Sequence, residues 1–339
     1  MEQAEEWRMW PLVYAVVIVA GLFLLFRIFC VITDPPYIVP LIGIIFIPFC
    51  IWVVPAVDRR ITSGKRLPVL NEPPERDSPV KVYQRKRWSI LVYISITVIT
   101  FTILHFLVIY MHEFTHSFAA YFLGAKENPL DIIWGRGIFA VSCDENVDYQ
   151  TLFSAGKGPT AAAIAFAGPL SNIILFFVTA ALISLPSMKK RPWVYHTLFW
   201  TLAVTFIMVF EYVFTRSFMT HDDFGNIEHG LGLSPYFIFI PGLILGLIAL
   251  WYIFTVLVPG HYRIVTPFEL AKQYVTIASV SFVFFLLYIG LRINSYPSVP
   301  EWWCGLAGIC ALFITPILFS PMRRWIRKRT GEMIRDNPG

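Results

Sequence analysis

The 339-residue sequence predicts an all-α, multi-pass membrane protein of about eight transmembrane helices, with a small β-prone excursion after the third. Three observations lead there. Apolar residues make up 57% of the chain and charged residues only 14%, whereas soluble domains average about 25% charged and 45–50% apolar. The apolar residues fall in runs near twenty long, the length a helix needs to cross a hydrocarbon core of about 30 Å. The charged residues gather between those runs. This composition excludes a soluble enzyme, a disordered chain and a disulfide-stapled secreted domain. The cysteines, Cys30, Cys50, Cys143, Cys304 and Cys310, form no CxxC and read as small buried hydrophobes.

The first run, 11–33, follows Glu2, Glu5 and Glu6 instead of a basic leader, so it reads as a retained helix and not a signal peptide. Asp34, Pro35 and Pro36 break it from the second run, 36–57, because proline cannot continue a helical ladder and restricts its predecessor. These two form an N-terminal transmembrane hairpin, 1–57. Positions 58–87 carry nine Lys or Arg with four prolines and read as a basic cytoplasmic loop. The third run, 88–124, contains no Gly or Pro before Gly124 and predicts one helix of about 55 Å. After it, Gly124, Asn128, Pro129, Gly135 and Gly137 surround two β-favouring stretches, Asp131 to Trp134 and Ile138 to Ser142, which predict a short strand pair.

Further runs follow at 160–185, 193–214, 235–258, 273–291 and 303–320, then a basic tail at 321–339. With the 58–87 loop inside, 21 Lys and Arg lie on the inner side against five outside, which predicts both termini in the cytoplasm. The basic residues are not interleaved with aromatics as a nucleic-acid surface would require. Their expected partner is the lipid bilayer.

Inside the third run the sequence reads His112, Glu113, Phe114, Thr115, His116, an HExxH. Positions four apart share a helix face, so both imidazoles can ligate one Zn2+ while Glu113 acts as general base toward the water that the metal activates. Ionisable groups inside an apolar run are costly unless paired or metal-bound, so such a cluster reads as a functional site. If Gly124 marks one surface, His116 lies about 12 Å and His112 about 18 Å below it. A catalytic zinc takes three protein ligands and keeps a fourth position open. The polar patch Thr220, His221, Asp222, Asp223, Phe224, Gly225, Asn226 offers the third, with Asp223 first, Asp222 second and His221 as a further alternative. In the fourth run Ala167, Gly168, Pro169, Leu170, Ser171, Asn172 combines residues that permit close helix packing with an Asn able to donate to a substrate carbonyl or its oxyanion.

HExxH in a spanning helix, a β-prone excursion, AFAGPLSN, one more helix and an aspartate patch together resemble the site-2 protease family of intramembrane zinc metalloproteases over roughly 88–258. The resemblance implies a catalytic membrane core there, followed by C-terminal transmembrane helices at 259–320. It implies His112 and His116 as zinc ligands, Glu113 as catalytic base and Asn172 near the catalytic centre as an aid to carbonyl binding. The family's third ligand is usually the Asp of an Asp-Gly motif. This chain has His221, Asp222, Asp223, Phe224, Gly225 instead, leaving Asp222 and Asp223 as alternatives. Family members commonly open the zinc toward the cytosol, whereas the charge distribution here puts the 125–158 loop on the opposite face.

The expected substrate is a transmembrane protein whose spanning helix is locally unwound, since a helix hides its carbonyls in its own hydrogen bonds; pairing with the 130–142 strands would hold it extended. Two other readings remain. A CAAX-type membrane protease would take a downstream glutamate as third ligand, with Glu211 and Glu228 as candidates, although neither has the surrounding pattern. A non-catalytic zinc-binding membrane protein or transporter would have no need of Glu113.

Overall fold

The computed structural model describes residues 38–62, 90–134, 143–219, 221–295 and 302–331. Among them the chain is helix and connecting loop, with no β-strand. The expected first helix, nearly all of the basic loop, the stretch Ile138 to Ser142 and the last eight residues lie outside this set. Helix α1 runs from Ile38–Pro48 through a wider π turn at Phe49–Val53 into Val54–Thr62. Then follow α2 (Ile90–Phe122), α3 (Tyr149–Ser154), α4 (Gly158–Ser184), α5 (Pro192–Arg216), α6 (Asp222–Leu231), α7 (Tyr236–Ile264), α8 (Leu270–Arg292), α9 (Trp302–Leu318) and α10 (Arg324–Thr330).

Five of these, α2, α4, α5, α7 and α8, are long and apolar enough to cross a membrane, and the chain is an integral membrane protein. The described parts of α1 and α9 are shorter apolar helices. The sequence led to an expectation of seven spans over the same region. The 17 residues of α9 rise only about 25 Å, short of a hydrocarbon core of about 30 Å.

Helix α2 is unbroken for 33 residues, as the absence of Gly and Pro requires. It stops at Gly124, whose φ of +70° is the left-handed conformation that glycine adopts freely. There Ala125 N–H reaches back to the Ala120 carbonyl at 2.8 Å and satisfies one of the helix's last acceptors. The following chain folds back on α2, with Ser117 Oγ donating to the Pro129 carbonyl at 2.8 Å. Of the expected strand pair, Asp131 to Trp134 is described and carries an antiparallel bridge, Ile133 with Asp144, while Ile138 to Ser142 lies outside the described residues. Just before it, Leu130 N–H goes to Asn128 Oδ1 and Asp131 N–H to the Asn128 carbonyl in a turn.

Helix α4 is the hub and packs against α2, α5 and α6. Its first half is nearly all small residues, and Ala161, Ala165 and Gly168 are buried, which lets neighbouring backbones come close. The tightest approach is to α6, where a Cβ on Gly158 would stand 2.7 Å from the Gly230 carbonyl oxygen. Away from this hub an aromatic core joins α1, α5, α7, α8 and α9, with Phe313 meeting Phe46 and Phe49 edge-on at 5.6 and 4.9 Å. Large side chains left outside, such as Val98, Ile103 and Leu107 on α2 and Leu245, Ile248 and Trp251 on α7, form the apolar exterior that a bilayer requires.

Candidate metal centre

The two histidines of the HExxH lie one turn apart on α2 and face α4 and α6. His112 and His116 are both buried, with Nε2 atoms 3.1 Å apart. Each ring is held by its other nitrogen. His116 Nδ1 donates to the Ile164 carbonyl of α4 at 2.7 Å, which fixes the tautomer and leaves Nε2 with a free lone pair. The Asn172 amide, two turns further along α4, meets His112 Nδ1 at 3.0 Å. The ends of an amide exchange by a half-turn, and with its oxygen on Nδ1 it accepts the ring proton and bares Nε2. The other end of that amide is buried and has no hydrogen-bond partner among the described residues.

The third donor comes from α6. Asp223 Oδ2 lies 3.0 Å from His112 Nε2, and Oδ1 lies 3.3 Å from His116 Nε2. Three donors bound at 2.0–2.1 Å around a tetrahedral ion stand about 3.3 Å apart, so the spacing fits a metal with little rearrangement. Both imidazoles present bare Nε2 atoms and the carboxylate is oriented toward them, the donor chemistry of a His, His, Asp metal site.

Gly168 confirms how closely α4 covers these atoms. A Cβ there would stand 2.7 Å from His112 Nε2 and nearer still to His116 Nε2. The small-residue motif therefore does more than pack helices, since any larger residue would intrude on the candidate donor atoms.

Of the other candidates, Asp222 does not join. Its carboxylate turns away to Arg216, with Nη1 to Oδ2 at 3.5 Å. His221 is exposed and outside the cluster. Glu211 is bound by Thr215, Arg216 and Arg292, and Glu228 stands apart on α6. The structure thus separates the two adjacent aspartates that the sequence left as alternatives, and it brings the Asn172 amide against His112.

Glu113 is buried beside the histidines, within electrostatic reach of His116 and Asp223. Two residues outside the motifs also belong here. Glu145, buried just after the Ile133 bridge, is near enough for its charge to act on Glu113 and both histidines. The ring of Tyr212, in a π turn at the end of α5, sits 5.7 Å from that of His112. Nothing in the local sequence singles out Glu145, one of several acids in a polar loop. Tyr212 lies at the end of an apolar run, where aromatics are ordinary. No family model, curated protein or solved structure matches the chain.

Proposed function

We propose that the protein is a zinc-dependent intramembrane endopeptidase of the site-2 protease type, hydrolysing a peptide bond in or near the spanning segment of a membrane protein. One observation carries the reading: Asp223 meets the Nε2 atoms of an HExxH buried within a helix long and apolar enough to span, with Glu113 on the intervening position. Two imidazoles and a carboxylate suit zinc, which tolerates mixed N and O donors and low coordination number.

Zn2+ bound there would supply Lewis acidity, polarising the scissile carbonyl and acidifying water near neutral pH. The chain's own groups do the rest. Glu113 takes a proton from the attacking water as its oxygen bonds to the carbonyl carbon, and returns it to the amine nitrogen when the C–N bond breaks. The Ile164 carbonyl and Asn172 hold the two rings in register, so donor positions are set before substrate arrives. Burial among α2, α4 and α6 limits bulk water, which strengthens every charge interaction in the site.

A CAAX-type site lacks support because Glu211 is committed to two arginines and Glu228 is outside the cluster. The test is Glu113→Gln in native membranes. A protease keeps its metal, loses turnover and accumulates uncleaved membrane proteins that co-purify with the variant. Unchanged processing in Glu113→Gln cells would overturn the proposal and favour a metal-binding scaffold or transporter.

A further inference from the structure

Asp223 enters the metal centre from an uncommon backbone. His221 is extended, at φ −134° and ψ −179°, and Asp222 then takes a φ of +75° before α6 begins its regular course. A left-handed conformation is costly for a residue with a Cβ, least so for Asp and Asn. This turn at Asp222 sends the next carboxylate toward the histidines and its own away from them. Something must hold it.

The holder is visible in the π turn Tyr212–Arg216 at the end of α5. Arg216 Nη1 reaches Asp222 Oδ2 at 3.5 Å, its Nε reaches Glu211 Oε1 at 3.2 Å, and its guanidinium lies 4.2 Å from the centre of the Tyr212 ring. Tyr212 in turn packs edge-on against Phe224 at 6.1 Å. Asp223 is therefore flanked by two residues, Asp222 and Phe224, both fastened to the one five-residue π turn of α5. The anchor is itself anchored, because Arg292 at the end of α8 donates to Glu211 Oε1 at 2.8 Å. Two guanidinium groups and two carboxylates balance, so Glu211 keeps a cationic partner when Arg216 is removed.

We infer that Arg216 is a positioning residue for the metal centre: by holding Asp222 in its left-handed conformation, it aims the Asp223 carboxylate at His112 and His116. The inference rests on the metal-binding reading of those three residues and not on proteolysis. Its mechanism makes an epistatic prediction. If Arg216 acts by holding a strained backbone, it becomes dispensable once the strain is gone, and glycine at 222 removes the Cβ that causes it.

The experiment uses full-length protein in detergent, titrated with Zn2+ against a chromophoric chelator. Arg216→Ala should weaken Zn2+ binding about tenfold, and Arg216→Lys should recover part of that loss. Asp222→Gly should bind within about twofold of the unaltered chain, and adding Arg216→Ala to Asp222→Gly should change nothing further. A merely structural arginine would lower thermal stability in both backgrounds and show no such rescue. Unchanged affinity in Arg216→Ala, or a tenfold loss that persists beside Asp222→Gly, overturns the inference. Amide exchange at Asn226 to Glu228, whose N–H groups close the first helical turn on the carbonyls of Asp222 to Phe224, provides a second readout in metal-free protein. Protection lost in Arg216→Ala and restored in the double variant supports the positioning role even if the unaltered chain takes up no zinc, a result that would sink the metal reading alone; protection unchanged in Arg216→Ala overturns the positioning role.

Discussion

Replacing Gly168 by alanine adds one carbon to α4 at the position where the helix covers the candidate donor atoms of the proposed metal centre. That carbon would lie 2.7 Å from His112 Nε2 and closer to His116 Nε2, whereas ordinary contact begins near 3.4 Å. The His112 ring would have to retreat by about 0.7 Å and the His116 ring by more, but metal-ligand distances hold to within about 0.2 Å. At least one ligand is therefore lost. Weakening an outer partner of a metal ligand costs about 10- to 100-fold in affinity; displacing the ligand itself should exceed that, a loss of at least about 100-fold, or about 2.7 kcal/mol. Overpacking also costs about 1–3 kcal/mol of fold stability, so a control must separate the two effects. Gly246→Ala provides it, since its Cβ would meet the Phe210 ring at Cε2, 2.6 Å away, with no metal-binding atom among its nearest neighbours. The assay is zinc content by mass spectrometry with chelator competition, alongside thermal unfolding of each variant. Gly168→Ala should lose metal, while Gly246→Ala loses only stability. A Gly168→Ala protein that holds one zinc with unaltered affinity would refute the argument that α4 is shaped to the bound ion.

Asp223→Asn should abolish tight zinc binding while Asp222→Asn leaves it within a few-fold, because only Asp223 faces the imidazoles and asparagine at 222 tolerates the left-handed turn and still offers Arg216 an acceptor oxygen; equal losses in a titration would show that the two aspartates are not separated in this way. Asn172→Ala should weaken zinc binding by about 10- to 100-fold by freeing the His112 ring, and an unchanged dissociation constant would remove Asn172 from the site. Glu228 on α6 is buried with one carboxylate oxygen unpartnered, and burial pushes its pKa from 4.5 up to about 7. Because the folded value is raised, the stability it contributes is full below pH 4.5 and lost as pH rises through 7. Glu228→Gln should therefore melt higher than the unaltered chain at pH 8 and no higher at pH 4, and a pH-independent difference would count against this assignment. Half-buried Cys143, with the basic 58–87 loop inside, should react with an impermeant thiol reagent added to intact cells; labelling only after permeabilisation would reverse the proposed orientation.

The helical membrane architecture and the two histidines were legible in the sequence because each depends on local order. Apolar run length sets whether a helix can span, and the absence of Gly or Pro between 88 and 123 left α2 with no reason to break. Four-residue spacing places His112 and His116 on one face whatever surrounds them. The local sequence around Gly168 and Asn172 points to close packing and carbonyl binding, and carries no trace of their approach to His112 and His116.

What only the tertiary structure decided is which distant groups converge. Asp222 and Asp223 are indistinguishable by composition and neighbours, and one bond rotation, the left-handed turn at Asp222, sends one to Arg216 and the other to the imidazoles. Gly158 and Gly230 bring α6 onto α4 closely enough for that carboxylate to arrive, and neither glycine carries any mark of this in its own segment. The sequence by itself determined that ionisable residues would sit inside apolar helices, because burial follows from hydrophobicity summed over a local stretch. Their assembly into a three-donor centre needed contacts between residues 48 to 111 positions apart, and no local pattern in the chain records those.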